Sequence, residues 1–358
     1  MPTIDLFCRV VDNFGDIGVC WRLARQLFAE HGYTVRLIVD DLAAFRFIAP
    51  EIDPALKQQN LLGVDVIAWS VSDALLPAEV AVEAFACDPP EAYVLAMAAL
   101  AEKPVWINLE YLSAEAWVDA VHGLPSPHPR LPLTKYFFWP GFTERSGGLI
   151  REHSVATARL GRDATALPPL GSRGEGDGGA HGQNSGSKLL AFAYAHAPVR
   201  AVATALKARV TTAAQVDDAD PAWLAAPFVP QTQFDARLAE FDVLVVRGED
   251  SFLRAQYAAK PFLWHIYATP DNAHFVKLDA WLDRYCEGLS TDPAKALRQA
   301  QHAFNRGETD PAAYSGFATY LSPLKKHAIY WRDHLIVQTD LATRLLKFVN
   351  SLKTQKVS

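Results

Sequence analysis

Cysteine is scarce in this chain: Cys8, Cys20, Cys87 and Cys286 are scattered over 358 positions with no C-x-x-C pair. That argues against a disulfide framework or a cysteine zinc site and fits free thiols in a reducing compartment. Eleven histidines are present, but none falls in an H-E-x-x-H or other compact ligand array. His122 and His128, six apart in a proline-rich loop, read as loop residues rather than ligands, and no metal site is expected. Positive charge is not in excess either. Lys and Arg number 34 against 40 Asp and Glu, for a net charge of -6, without the basic footprint of a nucleic-acid-coating protein. No uninterrupted apolar run reaches the ~18 residues that a bilayer helix needs. The start, Met1-Pro2-Thr3-Ile4-Asp5, lacks the basic flank of a secretory signal. A soluble cytoplasmic protein with neither membrane nor nucleic acid as partner is the expectation. Walker A and G-x-G-x-x-G phosphate loops are absent too.

What the chain does have is apolar mass, 50% of residues against 21% charged, in a length that suits two domains of ordinary size. The first forty residues follow an α/β rhythm: a β-branched, apolar run over Thr3 to Val11, a helical pattern over Gly18 to His31, and a second strand over Thr34 to Val39. Short apolar runs at 64–68 and 104–108 read as buried parallel strands, with a helix over Tyr93 to Glu102 between them. Residues 171–188, GSRGEGDGGAHGQNSGSK, interrupt the pattern with seven glycines and read as a flexible linker. The rhythm then resumes with strands at 189–194, 209–212, 241–246 and 261–266 and a helix over Val199 to Ala208. An amphipathic helix over Thr339 to Leu352 ends the series. The predicted division is therefore 1–170, a linker at 171–188, and 189–338, with the terminal helix of 339–358 packing back on the first domain. Two α/β halves imply a ligand cleft at strand C-terminal ends.

Two loops concentrate chemistry. Val11-Asp12-Asn13-Phe14-Gly15-Asp16-Ile17-Gly18 occupies the first βα loop. Its paired carboxylates would repel a phosphate and suit a cationic or hydroxylic group that must lose a proton. The same residues also read as a helix cap at Asp16 and an Asx-turn at Asp12. Arg247-Gly248-Glu249-Asp250-Ser251 follows the most hydrophobic strand and opens a helix. Free backbone N–H groups, the Arg247 fork and the Ser251 hydroxyl can hold an anion there. The alternative is capping by Asp250 or Ser251, with Arg247 paired to Glu249. Phe192, Tyr194 and Phe234 can stack on a base or belong to the core, and Gln231 reads as either a ligand reader or a turn residue. His265 reads as a core imidazole, and the stretch Asn108-Leu109-Glu110-Tyr111 is assigned no role.

The segments VDNFGDIGVCWRLARQL, NLEYLSAEAWV, FFWPGFTERSGGLIRE, PQTQFDARL, FDVLVVRGEDSFLRAQYAAKPFLWHIY and DNAHFVKLDAWL resemble the bacterial protein-arginine rhamnosyltransferases of elongation factor P, the EarP family. The resemblance covers most of the chain apart from the glycine-rich insert. It implies an α/β, GT-B glycosyltransferase-like fold, with two Rossmann-like domains facing a central cleft. The implied activity is inverting, metal-independent transfer of L-rhamnose from dTDP-β-L-rhamnose to an arginine of elongation factor P, which activates that factor for relief of stalling at polyproline. No cofactor beyond the donor substrate is implied.

Carried over by motif, Asp12, Asp16 and Glu249 match the family's essential carboxylates, with Asp16 as general base. Arg247, Asp250 and Ser251 match the diphosphate and sugar contacts. Phe192, Tyr194, Gln231 and Phe234 match the thymidine pocket, and Asn13 and Gly15 fall in the donor-binding loop. The chain departs from the family at Ala268-Thr269, where Pro-Gln is expected, and in its glycine-rich linker. A dTDP-sugar epimerase on the same fold and a non-catalytic module that binds the elongation factor are the alternatives to a transferase.

Overall fold

The computed structural model describes residues 1–11, 14–157, 186–213 and 216–357. Asp12, Asn13 and linker residues 171–185 lie outside the described residues. The chain divides into two compact units, Met1–Gly161 together with Val337–Ser358, and Arg162–Ile336.

In the first unit the strands are β1 (Thr3–Cys8), β2 (Thr34–Val39), β3 (Gln58–Leu61), β4 (Val64–Ala68), β5 (Val80–Ala84), β6 (Val105–Leu109), β7 (Pro125–Pro127) and β8 (Thr134–Phe138). They form one sheet in the order β3-β4-β2-β1-β5-β6-β8-β7. The helices are α1 (Gly15–Ala29), α2 (Leu42–Ile48), α3 (Glu91–Ala99), α4 (Val118–Val121) and α5 (His153–Thr157). Strand β1 runs parallel to both β2 and β5, and all five residues of β5 and of β6 are buried. Strands covered on both faces carry apolar residues at successive positions rather than alternating ones, with Glu83 and Asn108 the polar exceptions in β5 and β6. Polar Gln58–Leu61 and proline-bearing Pro125–Pro127 pair antiparallel at the two edges, where a missing donor or a wet face costs little. Buried Asp5 in β1 is held by both Arg36 Nε and Nη2 at 2.6 Å and by the Tyr93 hydroxyl, so its charge does not go uncompensated.

The second unit has a parallel sheet in the order β11-β10-β9-β12-β13, from β9 (Lys188–Ala191), β10 (Arg209–Thr212), β11 (Leu224–Ala225), β12 (Val243–Arg247) and β13 (Phe262–His265). Its helices are α6 (Val199–Leu206), α7 (Gln231–Ala239), α8 (Asp250–Tyr257), α9 (Ala273–Tyr285), α10 (Thr291–Asn305), α11 (Ser315–Thr319) and α12 (Leu321–Ile336). The last helix, α13 (Leu341–Val357), belongs to the first unit. There it buries Leu341, Leu345, Leu346 and Val349. The Arg344 guanidinium donates to the carbonyls of Thr143 at 2.6 Å and Ser146 at 2.9 Å. Gly148, at φ +76°, makes this approach possible, since a Cβ there would lie 2.9 Å from the Thr339 carbonyl.

Strands expected at 34–39, 64–68 and 209–212 begin and end at those residues. The strand expected at 189–194 is shorter. Its ladders to β10 and β12 both end at Ala191, which puts Phe192 and Tyr194 in the loop beyond. No helix among the described residues is long and apolar enough to cross a membrane.

Candidate functional site

In the first unit the loop between β1 and α1 lies at the C-terminal edge of the parallel sheet, where α/β folds place ligands. Gly15 is the first residue of α1 and Asp16 the second. Asp16 is only 2% exposed. Its Oδ2 accepts from the Val11 amide at 2.8 Å and its Oδ1 from the Tyr111 hydroxyl at 3.2 Å. Asp16 is therefore not the cap weighed from the sequence. The cap position is Phe14, which makes no side-chain cap hydrogen bond, while Asp16 reaches back to the loop. The helix start itself favours a carboxylate. A hydrogen bond with Cys20, and then burial, push the nearby Cys8 thiol up, so it stays protonated and adds no negative charge beside Asp16.

Tyr111 was given no role from the sequence. It follows β6, whose C-terminal end lies on the same sheet edge as the β1 loop. Glu110 beside it accepts from Asn108 Nδ2 at 2.6 Å, and burial pushes its carboxyl up.

In the second unit the turn from β12 into α8 is sharp, with Gly248 at φ +59° and its carbonyl accepting from the Trp264 indole at 2.8 Å. The Ser251 hydroxyl accepts from the Arg247 amide at 3.1 Å and donates to the Arg247 carbonyl, closing the turn. The Arg247 side chain lies beside two aromatic rings. Its guanidinium carbon lies 4.8 Å from the Phe192 ring centre and 5.1 Å from that of Tyr194, within cation–π range. Phe234, on α7, meets Phe192 edge-on at 5.5 Å. Gln231, the buried first residue of α7, donates to Asp250 Oδ2 at 2.9 Å. Asp250 also accepts from Arg254 Nε at 3.1 Å, and Arg254 reaches Asp235 at 2.7 Å. Glu249 is the half-buried residue just ahead of α8. One unit thus brings together seven predicted residues, Phe192, Tyr194, Gln231, Phe234, Arg247, Asp250 and Ser251, and holds Glu249 at the same turn.

His265 is buried, accepts the Tyr194 amide at Nδ1, and has its pKa lowered to about 3 by burial, then by His196 and Arg247. It is a neutral core imidazole. His122 and His128 spend their Nδ1 lone pairs on backbone amides, of Trp139 and of Arg130 and Leu131 respectively. Among the described residues no group of three or more His, Cys, Asp or Glu could hold a metal ion. A cavity of about 570 Å³ in the first unit, lined in part by Trp106, His128, Arg130 and Lys135, contains none of the predicted residues.

The first unit therefore offers a buried, doubly hydrogen-bonded carboxylate to a proton-bearing acceptor. The second gathers aromatic rings, a guanidinium and a helix start, groups able to hold a planar ring and an anion. Two α/β units built on largely parallel sheets are the architecture of GT-B glycosyltransferases. The solved spinosyn rhamnosyltransferase SpnG shares the fold at a TM-score of 0.52, covering 97% of this chain and 99% of that one at 12% identity. A structure solved for EarP-mediated arginine glycosylation of translation elongation factor EF-P is similar at a TM-score of 0.60 and 29% identity, covering 98% of this chain and 99% of the other. The family model "Elongation-Factor P (EF-P) rhamnosyltransferase EarP" matches residues 4–222 and 183–350. The protein-arginine rhamnosyltransferase of Pseudomonas putida is 43% identical over 378 residues, 98% of this chain and 99% of its own. The chain belongs to the EarP family of rhamnosyltransferases, as its motifs implied.

Proposed function

We propose that this chain moves L-rhamnose from dTDP-β-L-rhamnose to an arginine side chain of elongation factor P, with inversion, in the cytoplasm. The observation that carries the reading is the buried Asp16 carboxylate at the start of α1, fixed by two donors, in a chain of this family. A guanidinium has a pKa above about 12 and no free lone pair, so it attacks poorly unless it is held and partly deprotonated. Asp16 accepts the proton as an arginine nitrogen bonds to the anomeric carbon. The bond from that carbon to the diphosphate oxygen breaks, and dTDP leaves with the electron pair. Asp12 and Glu249 supply the other carboxylates that pair with the acceptor and the sugar.

On the donor side Arg247 and the first turn of α8 meet the charge that develops on the diphosphate. Phe192, Tyr194 and Phe234 take the thymine ring, and Gln231, Asp250 and Ser251 set the geometry around the phosphates and sugar. Asn13 and Gly15 belong to the residues assigned to donor binding. In-line displacement converts the β-linked donor into an α-rhamnosyl arginine. Activation for polyproline synthesis is the consequence for the modified factor.

Incubation with dTDP-rhamnose and purified elongation factor P, followed by mass spectrometry of the factor, tests this. A gain of one deoxyhexose on an arginine is expected. An unmodified factor beside a rearranged donor would instead indicate an epimerase, and no change in either would indicate a binding module.

A further inference from the structure

We infer that Tyr111 is a positioning residue for Asp16, and that the turn after β5 exists in its strained form to hold Tyr111. The inference rests on the reading of Asp16 as the proton acceptor. Asp16 is gripped from two separate places: the Val11 amide on one oxygen and the Tyr111 hydroxyl, 95 residues away, on the other. Two donors on different oxygens fix the rotation of the carboxylate plane, which a single contact would leave loose. A proton acceptor must be aimed as well as present.

Tyr111 is 38% exposed, so general packing alone does not fix its ring. Phe85 does. The two rings stack with centres 4.2 Å apart and planes 15° from parallel. Phe85 and Ala86 are consecutive non-glycine residues in the left-handed region, at φ 58° and 52°. Such strain persists only where the surroundings over-determine it, and here they do. The Phe85 amide donates to the Leu109 carbonyl at 2.7 Å, and the Ala86 amide to Asn108 Oδ1 at 3.1 Å. Asn108 in turn donates to Glu110. The turn is thus stitched to the end of β6 on the residues just before Tyr111, and its unusual backbone lays the Phe85 ring flat on the tyrosine.

Tyr111→Phe isolates the hydroxyl, because it keeps the ring and the stack. Steady-state rhamnosylation by wild type, Asp16→Asn, Tyr111→Phe and Phe85→Leu gives kcat and the KM for donor and for acceptor. A lost hydrogen bond to a charged group predicts a kcat about tenfold lower or worse for Tyr111→Phe, with both KM values within about twofold. Phe85→Leu is expected to lower kcat in the same direction. If Tyr111→Phe keeps the wild-type kcat while Asp16→Asn is dead, the positioning role is overturned and the reading of Asp16 stands. If Tyr111→Phe instead raises the acceptor KM at constant kcat, the tyrosine is a binding platform and the inference is equally wrong. Wild-type activity that survives in Asp16→Asn overturns the underlying reading, and this inference with it.

Discussion

A carboxylate as buried as Asp16 persists because its two oxygens accept from Val11 and Tyr111 and because it sits in the first turn of a helix. His265 solves the opposite problem by staying neutral. Burial lowers its pKa from 6.5 to about 3, and His122 is likewise lowered to about 4 by burial and Arg344. An unfolded chain binds protons at these histidines below about pH 6.5, whereas the folded chain does not until pH 3 to 4. Their stabilising contribution is therefore present above 6.5 and lost as pH falls toward those lower values. Thermal unfolding followed from about pH 7 to about pH 5 is expected to show a falling midpoint, with a shallower fall in His265→Gln. An equal slope in the two proteins would show that His265 does not carry the dependence. At this scale Asp16 was legible, because two aspartates and two glycines in a first βα loop are a conspicuous pattern. Tyr111 was not. An aromatic after a strand is ordinary, and its partnership with Asp16 spans 95 residues and depends on the order of strands in the sheet.

Among the elements, several strands of mostly apolar composition were readable, although fully buried Val80–Ala84, interrupted by Glu83, was not among them. Thr34–Val39 and Val64–Ala68 stand out as apolar runs bounded by polar or glycine residues. Edge strands such as Gln58–Leu61 and Pro125–Pro127 carry no such run, because their chemistry answers to solvent as much as to the core. The strand expected through Tyr194 was too long for a physical reason. Phe192 and Tyr194 continue the apolar composition of β9, but past a last amide bond from Phe192 to the Val245 carbonyl the chain leaves the ladder and both rings lie beside Arg247. The turn at Phe85 and Ala86 had no sequence signature at all, since it adopts left-handed angles without glycine or asparagine. Its strain is measurable. A left-handed non-glycine residue costs roughly 1–2 kcal/mol, and glycine's extra chain entropy takes back roughly 0.5–1. Ala86→Gly is thus expected to stabilise the protein by about 0.5–1 kcal/mol in denaturant unfolding, and a loss of stability would show that the turn is unstrained.

For the whole molecule, the proposed reaction assigns one half of the chemistry to each unit. The acidic helix start belongs to Met1–Gly161, and the aromatic and cationic turn belongs to Arg162–Ile336. The α/β class and the family were readable from long motifs that span both units. The grip of α13 on the first unit depends on contacts such as Arg344 to Thr143, 201 residues apart, which periodicity alone does not specify. The division of labour makes a sharp demand: the proton acceptor must be dispensable for holding the donor. Calorimetric titration of dTDP-rhamnose into wild type, Asp16→Asn and Arg247→Ala measures this directly. Asp16→Asn, though inactive in transfer, is expected to bind the donor within about threefold of wild type, while Arg247→Ala binds about tenfold or more weakly. Donor affinity lost as badly in Asp16→Asn as in Arg247→Ala would contradict the account.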